Sequence, residues 1–256
     1  MKLKSVQPVI LRLPPFQRVY ITLCGCGGTG SHLASGLATL ALALKEKDVQ
    51  AGLVFIDPDD VEPKNVGRQL FISHEVGKPK AAVLADRLYL AYNVVPSTYL
   101  RPFDGSFTTV WDNCLNVIIG AVDNAPARKL VAQAVERAKG QLWWLDCGNK
   151  NHSGQIALGN TVDPRRWKPA LGMVDSLPAP HIVYPDLVKA PKKVKAVSCA
   201  DAPEQSLMVN RMVAAWALSL LNDFLLGQLH YFTLDFDLAF GGTHSRTLDE
   251  ATLKEI

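Results

Sequence analysis

Two groups of residues have the types and spacing to act on phosphate. The first is Gly25-Cys26-Gly27-Gly28-Thr29-Gly30, a G-x-G-x-x-G spacing. Glycines let backbone approach a phosphate closely, and a helix that follows offers unpaired N–H groups and a partial positive charge. Taken alone the pattern fits NAD, FAD, another nucleotide or a bare tight turn. The second group runs Asp57-Pro58-Asp59-Asp60-Val61-Glu62-Pro63-Lys64-Asn65-Val66-Gly67-Arg68-Gln69 and then Gly77-Lys78-Pro79-Lys80. Asp57 could accept from the ribose hydroxyls of NAD or ATP alike, or be a helix cap or loop carboxylate. Arg68 and Lys80 discriminate. A dehydrogenase has no need of them just past a ribose-binding strand, whereas a triphosphate must be neutralised, by the planar fork of Arg and the point charge of Lys. A third acid, in Asp123-Asn124-x-x-x-Arg128, could hold Mg²⁺ against phosphate oxygens or cap the helix beginning near Pro126. Arg128 either serves the site or pairs with an acid on its own helix face.

These residues need a frame. Residues 19–23 are an apolar, β-branched run that ends in the glycine cluster, and they read as a buried strand. Ser31 can cap the helix that follows, in which Leu33, Leu37, Leu40, Ala41 and Leu44 recur at helical spacing. Residues 53–56 form a second strand ending at Asp57. Pro79 suits the start of a helix running to about Tyr92. Residues 116–122 form a third strand, stopped at Asp123. A helix over 125–139 can end at Gly140, and 141–146 is a further strand. Continuous apolar strands alternating with helices predict an α/β fold: a Rossmann-like, doubly wound, mostly parallel sheet with helices on both faces. Asp57 and Asp123 then stand at strand ends, where such sheets bind ligands. The C-terminal portion reads as irregular. Residues 155–162 suggest a strand, and 163–198 a long, mobile connection dense in proline and lysine. Residues 203–226 suggest a helix, and 231–236 an edge strand paired with the tail. The whole reads as one domain over 1–256, with a nucleotide-binding part at about 18–150 and the remainder at 151–256.

The segment after the second strand resembles the D-x-D-x-V-x-x-x-N-x-x-R-Q signature of the ThiF/MoeB/HesA family, relatives of ubiquitin-activating enzymes. Here it reads Asp57, Asp59, Asn65, Arg68 and Gln69, with one extra residue, Asp60, before Val61. With the Gly25, Gly27, Gly28, Gly30 turn and Gly77-x-x-Lys80, the resemblance extends over about 18–149. The proline–lysine insertion and the tail resemble the ThiF-like member of PRTRC gene cassettes. The family resemblance implies an adenylyltransferase that uses ATP and Mg²⁺. Its substrate would be the C-terminal carboxylate of a small ubiquitin-like or sulfur-carrier protein, and pyrophosphate would be released. It implies that the turn underlies the phosphates and that Asp57 holds the ribose. Asn65, Arg68 and Lys80 would contact phosphates, and Asp123 would organise Mg²⁺. It further implies a homodimer, which in relatives can lend an N-terminal arginine across the interface; Arg12 and Arg18 are the candidates. Two functions of other kinds stay open: a nucleotide-binding scaffold that no longer catalyses, and a Rossmann NAD-dependent oxidoreductase.

Relatives often carry a structural zinc on two C-x-x-C pairs. Neither pair occurs here, and Cys24-x-Cys26 has the wrong spacing, so no structural zinc is expected. Ser198-Cys199-Ala200-Asp201-Ala202 resembles a stretch where some relatives carry an acyl-accepting cysteine. Cys199 is therefore a candidate acceptor, with Lys193 and Lys195 near enough in sequence to favour a thiolate; the alternative is a small buried cysteine. Cys147, Trp143 and Trp144 read as packing, His32 as helix packing, and His152, His181 and His244 as loop residues. The basic run Lys189 to Lys195 would ordinarily be a solvated loop, and the family resemblance implies a partner-binding loop there rather than a nucleic-acid contact. An odd number of scattered cysteines, five, does not make a disulfide framework, and no apolar run is long enough to span a bilayer. The expected compartment is a reducing cytoplasm.

Overall fold

A computed structural model describes residues 7–105, 110–189 and 207–256. After a short β1 (Ile10–Leu11) the chain forms β2 (Arg18–Cys24), α1 (Gly28–Lys45), β3 (Gln50–Ile56), α2 (Lys80–Tyr92) and β4 (Ser97–Tyr99). Next come β5 (Leu115–Gly120), α3 (Ala125–Arg137), β6 (Leu142–Asn149) and β7 (Ser153–Gly159). The last part holds β8 (Met173–Val174), α4 (Pro180–Val183), α5 (Val209–Leu225), β9 (Tyr231–Asp237), β10 (Gly242–Thr247) and α6 (Glu250–Lys254).

One eight-stranded sheet carries the fold, in the order β10-β9-β7-β6-β5-β2-β3-β4. From β4 to β6 neighbouring strands are parallel, and from β6 to β10 they are antiparallel. The mostly parallel α/β architecture expected from the apolar runs is therefore present. Its strands are buried on both faces: Ile21, Val117, Ile119 and Leu145 pack under α1, α2 and α5, while Ile118 and Trp144 pack under α3. Trp143 and Trp144 point to opposite faces, as period-2 geometry requires. The Trp143 ring lies 4.7 Å from that of Phe224 on α5, tilted by 55°, and both tryptophans are buried in the core. Replacing the fully buried Trp144 by Ala would cost about 3–5 kcal/mol.

Several expectations change. Ser31 is not the cap of α1, which begins at Gly28; the hydroxyl sits in the first turn and donates to the Gly28 carbonyl. The strand at Tyr231–Asp237 does pair with the tail segment Gly242–Thr247, but β9 lies between β7 and β10, and β10 is the edge. Its buried Phe232, Leu234 and Phe236 alternate because only one face meets α5. The expected long connection contains, up to residue 189, two 3₁₀ turns, the short α4 and β8, which pairs with β1 in a separate two-stranded sheet. Asn160 pins it, donating to the Gly140 carbonyl and accepting from Leu177 N–H. Elements of two to four residues are too short to show a period. His181 lies in α4 and His244 in β10 rather than in loops. Among the described residues no helix is long and apolar enough to cross a membrane.

Candidate functional site

β2 is bordered on one side by β3, reached through α1, and on the other by β5, so the chain leaves its C-terminal end in opposite directions. Open α/β sheets bind ligands at such a switch point. A cavity of about 370 Å³ lies there. Gly25, Gly27, Gly28, Asp57, Asp59, Arg68, Gln69, Lys80 and Asp123 all line it. Two predicted residues do not. Gly30 closes the turn instead: a Cβ there would fall 1.9 Å from the Gly25 carbonyl oxygen. Asn65 is buried and holds its own loop, accepting from Glu62 N–H at 2.8 Å while its carbonyl accepts from Gln69 N–H. Asn65 thereby supports the segment that carries Arg68. Gly25 has φ +92 and packs its α-carbon against the Ala121 carbonyl, so backbone from β2 and β5 meets at the turn.

The charged groups are fixed by short contacts. Asp57 Oδ2 accepts from Cys26 N–H at 2.5 Å, and Oδ1 accepts from Asp59 N–H at 2.8 Å. Burial raises its pKa, and those two N–H bonds with Lys80 oppose the rise. Asp57 therefore ties the glycine turn to the end of β3. Lys80 is buried, and its Nζ lies 3.0 Å from Asp59 Oδ2, whose side chain is 62% exposed. The ammonium is held out of bulk water with its single carboxylate partner on the rim. Arg68 has no ion pair among the described residues. The Gln69 carboxamide lies over Gly27, with Oε1 buried and unpartnered. Asp123 is exposed on the wall. The cap of α3 is Asn124, whose Oδ1 accepts from Ala127 N–H at 2.9 Å, so Asp123 is not used as a helix cap.

The ThiF family model matches residues 15–151 of this 256-residue chain, more than half its length. The chain belongs to the ThiF family. Its fold is shared by solved structures. E. coli MccB with AMPCPP and MccA aligns at TM-score 0.59 and 18% identity, and E. coli MccB with ATP at 0.58 and 18%. PaaA aligns at 0.54 and 14%. Each alignment covers 90% of this chain and 64% of the other, so the chain spans less than two thirds of their length. No curated protein sequence matches it.

In this ThiF-family chain several cavity residues escape a sequence reading. Thr29, Asn149 and Asn210 form a triangle: Asn149 Nδ2 donates to Thr29 Oγ1 at 3.1 Å and to Asn210 Oδ1 at 2.5 Å, and Thr29 Oγ1 donates to Asn210 Oδ1 at 3.2 Å. It bonds α5 to the glycine turn. The available signal was Asn210 itself, a polar residue on the buried face of an apolar helix. Arg128 pairs across to Asp146 on β6 at 3.0 Å, not with an acid on its own helix. Burial pushes Asp146 up to about 6 despite Arg128, and its Oδ2 has no partner. A second cavity of about 490 Å³ adjoins the first, sharing Asn149; Arg128, Gln155, Tyr184 and Asp235 line it. Tyr184 Oη donates to Asp235 Oδ2 at 2.5 Å and accepts from Arg246 at 3.0 Å.

Cys24, Cys26, Cys114 and Cys147 are free thiols. Cys147 lines the first cavity, but burial and then the Asp146 charge raise its pKa, which disfavours a thiolate. His32 is lowered by burial and by Arg211, which fits helix packing. Cys199, Lys193 and Lys195 lie outside the described residues.

Proposed function

We propose that the cavity at the glycine turn binds ATP and that the chain adenylates a carboxylate. The observation that carries this is the meeting of Arg68 and Lys80, from two separate segments, on the wall of a cavity floored by Gly25, Gly27 and Gly28. That arrangement suits a triphosphate: backbone can approach closely, and two cations of different geometry can spread the charge. The same fold is seen in E. coli MccB with ATP.

The residues present fit a nucleotide and its metal. Neither Gly25 nor Gly30 has room for a Cβ, and Asp123 offers an exposed carboxylate that no helix end uses. Asp123 would hold Mg²⁺, which when bound neutralises phosphate charge. Asp57 would accept from the ribose while holding the turn. The substrate carboxylate is already ionised at neutral pH, so no general base is required. One of its oxygens attacks the α-phosphorus, the bond to the bridging oxygen breaks, pyrophosphate leaves, and an acyl-adenylate remains. The protein's part is to orient the two reactants and to stabilise charge with Arg68 and Lys80.

The second cavity would receive the acid, a reading supported by its sharing Asn149 with the first. We take the acid to be the C-terminal carboxylate of a ubiquitin-like or sulfur-carrier protein, the chain to act as a homodimer, and the compartment to be the reducing cytoplasm. We likewise take the chain to be a ThiF-like member of a PRTRC gene cassette.

ATP–pyrophosphate exchange with purified carrier proteins tests this. Exchange should require the carrier's terminal carboxylate. Arg68→Ala and Lys80→Ala should each lower it more than about tenfold, the worth of one charge-assisted contact at roughly 1.5–3 kcal/mol. Unchanged exchange in both variants would end the assignment. Tight ATP binding without exchange for any carrier would favour a silent scaffold.

A further inference from the structure

Arg68 and Gln69 sit on a segment with no regular secondary structure, entered through Gly67 at φ +82. The next residue, Leu70, is held by both of its backbone groups. Its N–H donates to Ser31 Oγ at 3.0 Å, and Ser31, next to Gly30, donates in turn to the Gly28 carbonyl at 3.1 Å. Its carbonyl accepts from Arg87 Nη1 at 2.6 Å. The other two nitrogens of Arg87, on α2, both bond Glu75: Nε to Oε1 at 2.8 Å, and Nη2 to Oε2. Glu75 is buried and also accepts from Ile72 N–H at 2.9 Å. The guanidinium lies 5.9 Å from the ring of buried Phe71. A planar fork that serves a carbonyl and a carboxylate together has no equivalent in lysine.

We infer that Arg87, together with Ser31, is a positioning residue for nucleotide binding. Neither side chain lines the cavity. They fix Leu70 from α2 and from the first turn of α1, and so set where Arg68 and Gln69 stand over the glycine turn. The role rests on the ATP reading of the cavity.

The test is a double-mutant cycle read as the dissociation constant of MgATP. Arg68→Ala should weaken ATP about tenfold or more, and Arg87→Lys on the order of fivefold; the double variant should match Arg68→Ala within about twofold, because Arg87 acts through Arg68. Ser31→Ala should shift affinity in the same direction by less, and it serves if Arg87→Lys fails to fold. Without ATP, amide exchange at Leu70 should quicken in Arg87→Lys and in Ser31→Ala. A melting temperature that falls while ATP affinity holds would overturn the role, and so would losses that multiply in the double variant. Wild-type protein that does not bind ATP would remove the nucleotide reading first and this role with it; a wild type that binds ATP and weakens with Arg68→Ala alone would remove only this role.

Discussion

The two adjoining cavities handle charge differently. Around the glycine turn the polar groups come from strand ends and the segments just after them, and they are tied to near neighbours: Asp57 accepts from the Cys26 and Asp59 N–H groups, and the Lys80 ammonium pairs with the Asp59 carboxylate. Arg68 has no ion-pair partner there among the described residues. In the second cavity the charges consume one another. Arg128 is paired with Asp146, and Tyr184 bridges Asp235 and Arg246 from three distant parts of the chain. In the first cavity Arg68 thus stays available for an anion, while Lys80 is held by a carboxylate on the rim. The second is electrostatically closed and can select a guest by hydrogen bonding and shape. An enzyme joining ATP to an acid needs that division, since most of the charge to be stabilised belongs to the nucleotide.

The contrast can be broken by separating the two sites. Tyr184→Phe removes the hydroxyl that joins Asp235 to Arg246, leaving both partners short of a bond. The KM for the acid substrate should rise roughly five- to tenfold, while ATP affinity should change less than about twofold. Equal losses for both ligands would show that the cavities are not separate sites. A smaller effect concerns the pair beneath the second cavity. Asp146 has its native pKa raised to about 6, chiefly by burial and against the pull of Arg128. The native state therefore takes up a proton before the unfolded chain does, and stability from this group should increase as pH falls from about 6 towards 4, by at most about 1.4 kcal/mol per pH unit. Asp146→Asn should flatten that limb in melting temperature measured against pH. A limb that persists unchanged would assign it to another group.

The first region was legible in the sequence because its signals are local. An apolar run, a glycine cluster and Asp57 declare strand, turn and strand end within a few dozen residues, and Arg68 follows on the next loop and Lys80 at the start of α2. Ser31 was misread for the same reason. Its residue type has an obvious local use, as a cap, whereas the tertiary structure uses it to bond Leu70. The second region was hardly visible. Tyr184, Asp235 and Arg246 meet only after β9 inserts between β7 and β10, an order set by long-range pairing that no short window contains. Asn210 was hidden by the apolar helix around it.

The most direct test is competitive binding of ATP, AMP and NADH to the wild-type chain in the presence of Mg²⁺. With Arg68 and Lys80 facing one cavity, ATP should bind at least about tenfold more tightly than AMP, since the added phosphates meet both cations, and NADH should not displace it. NADH that binds tightly and excludes ATP, or AMP that binds as well as ATP, would contradict the account.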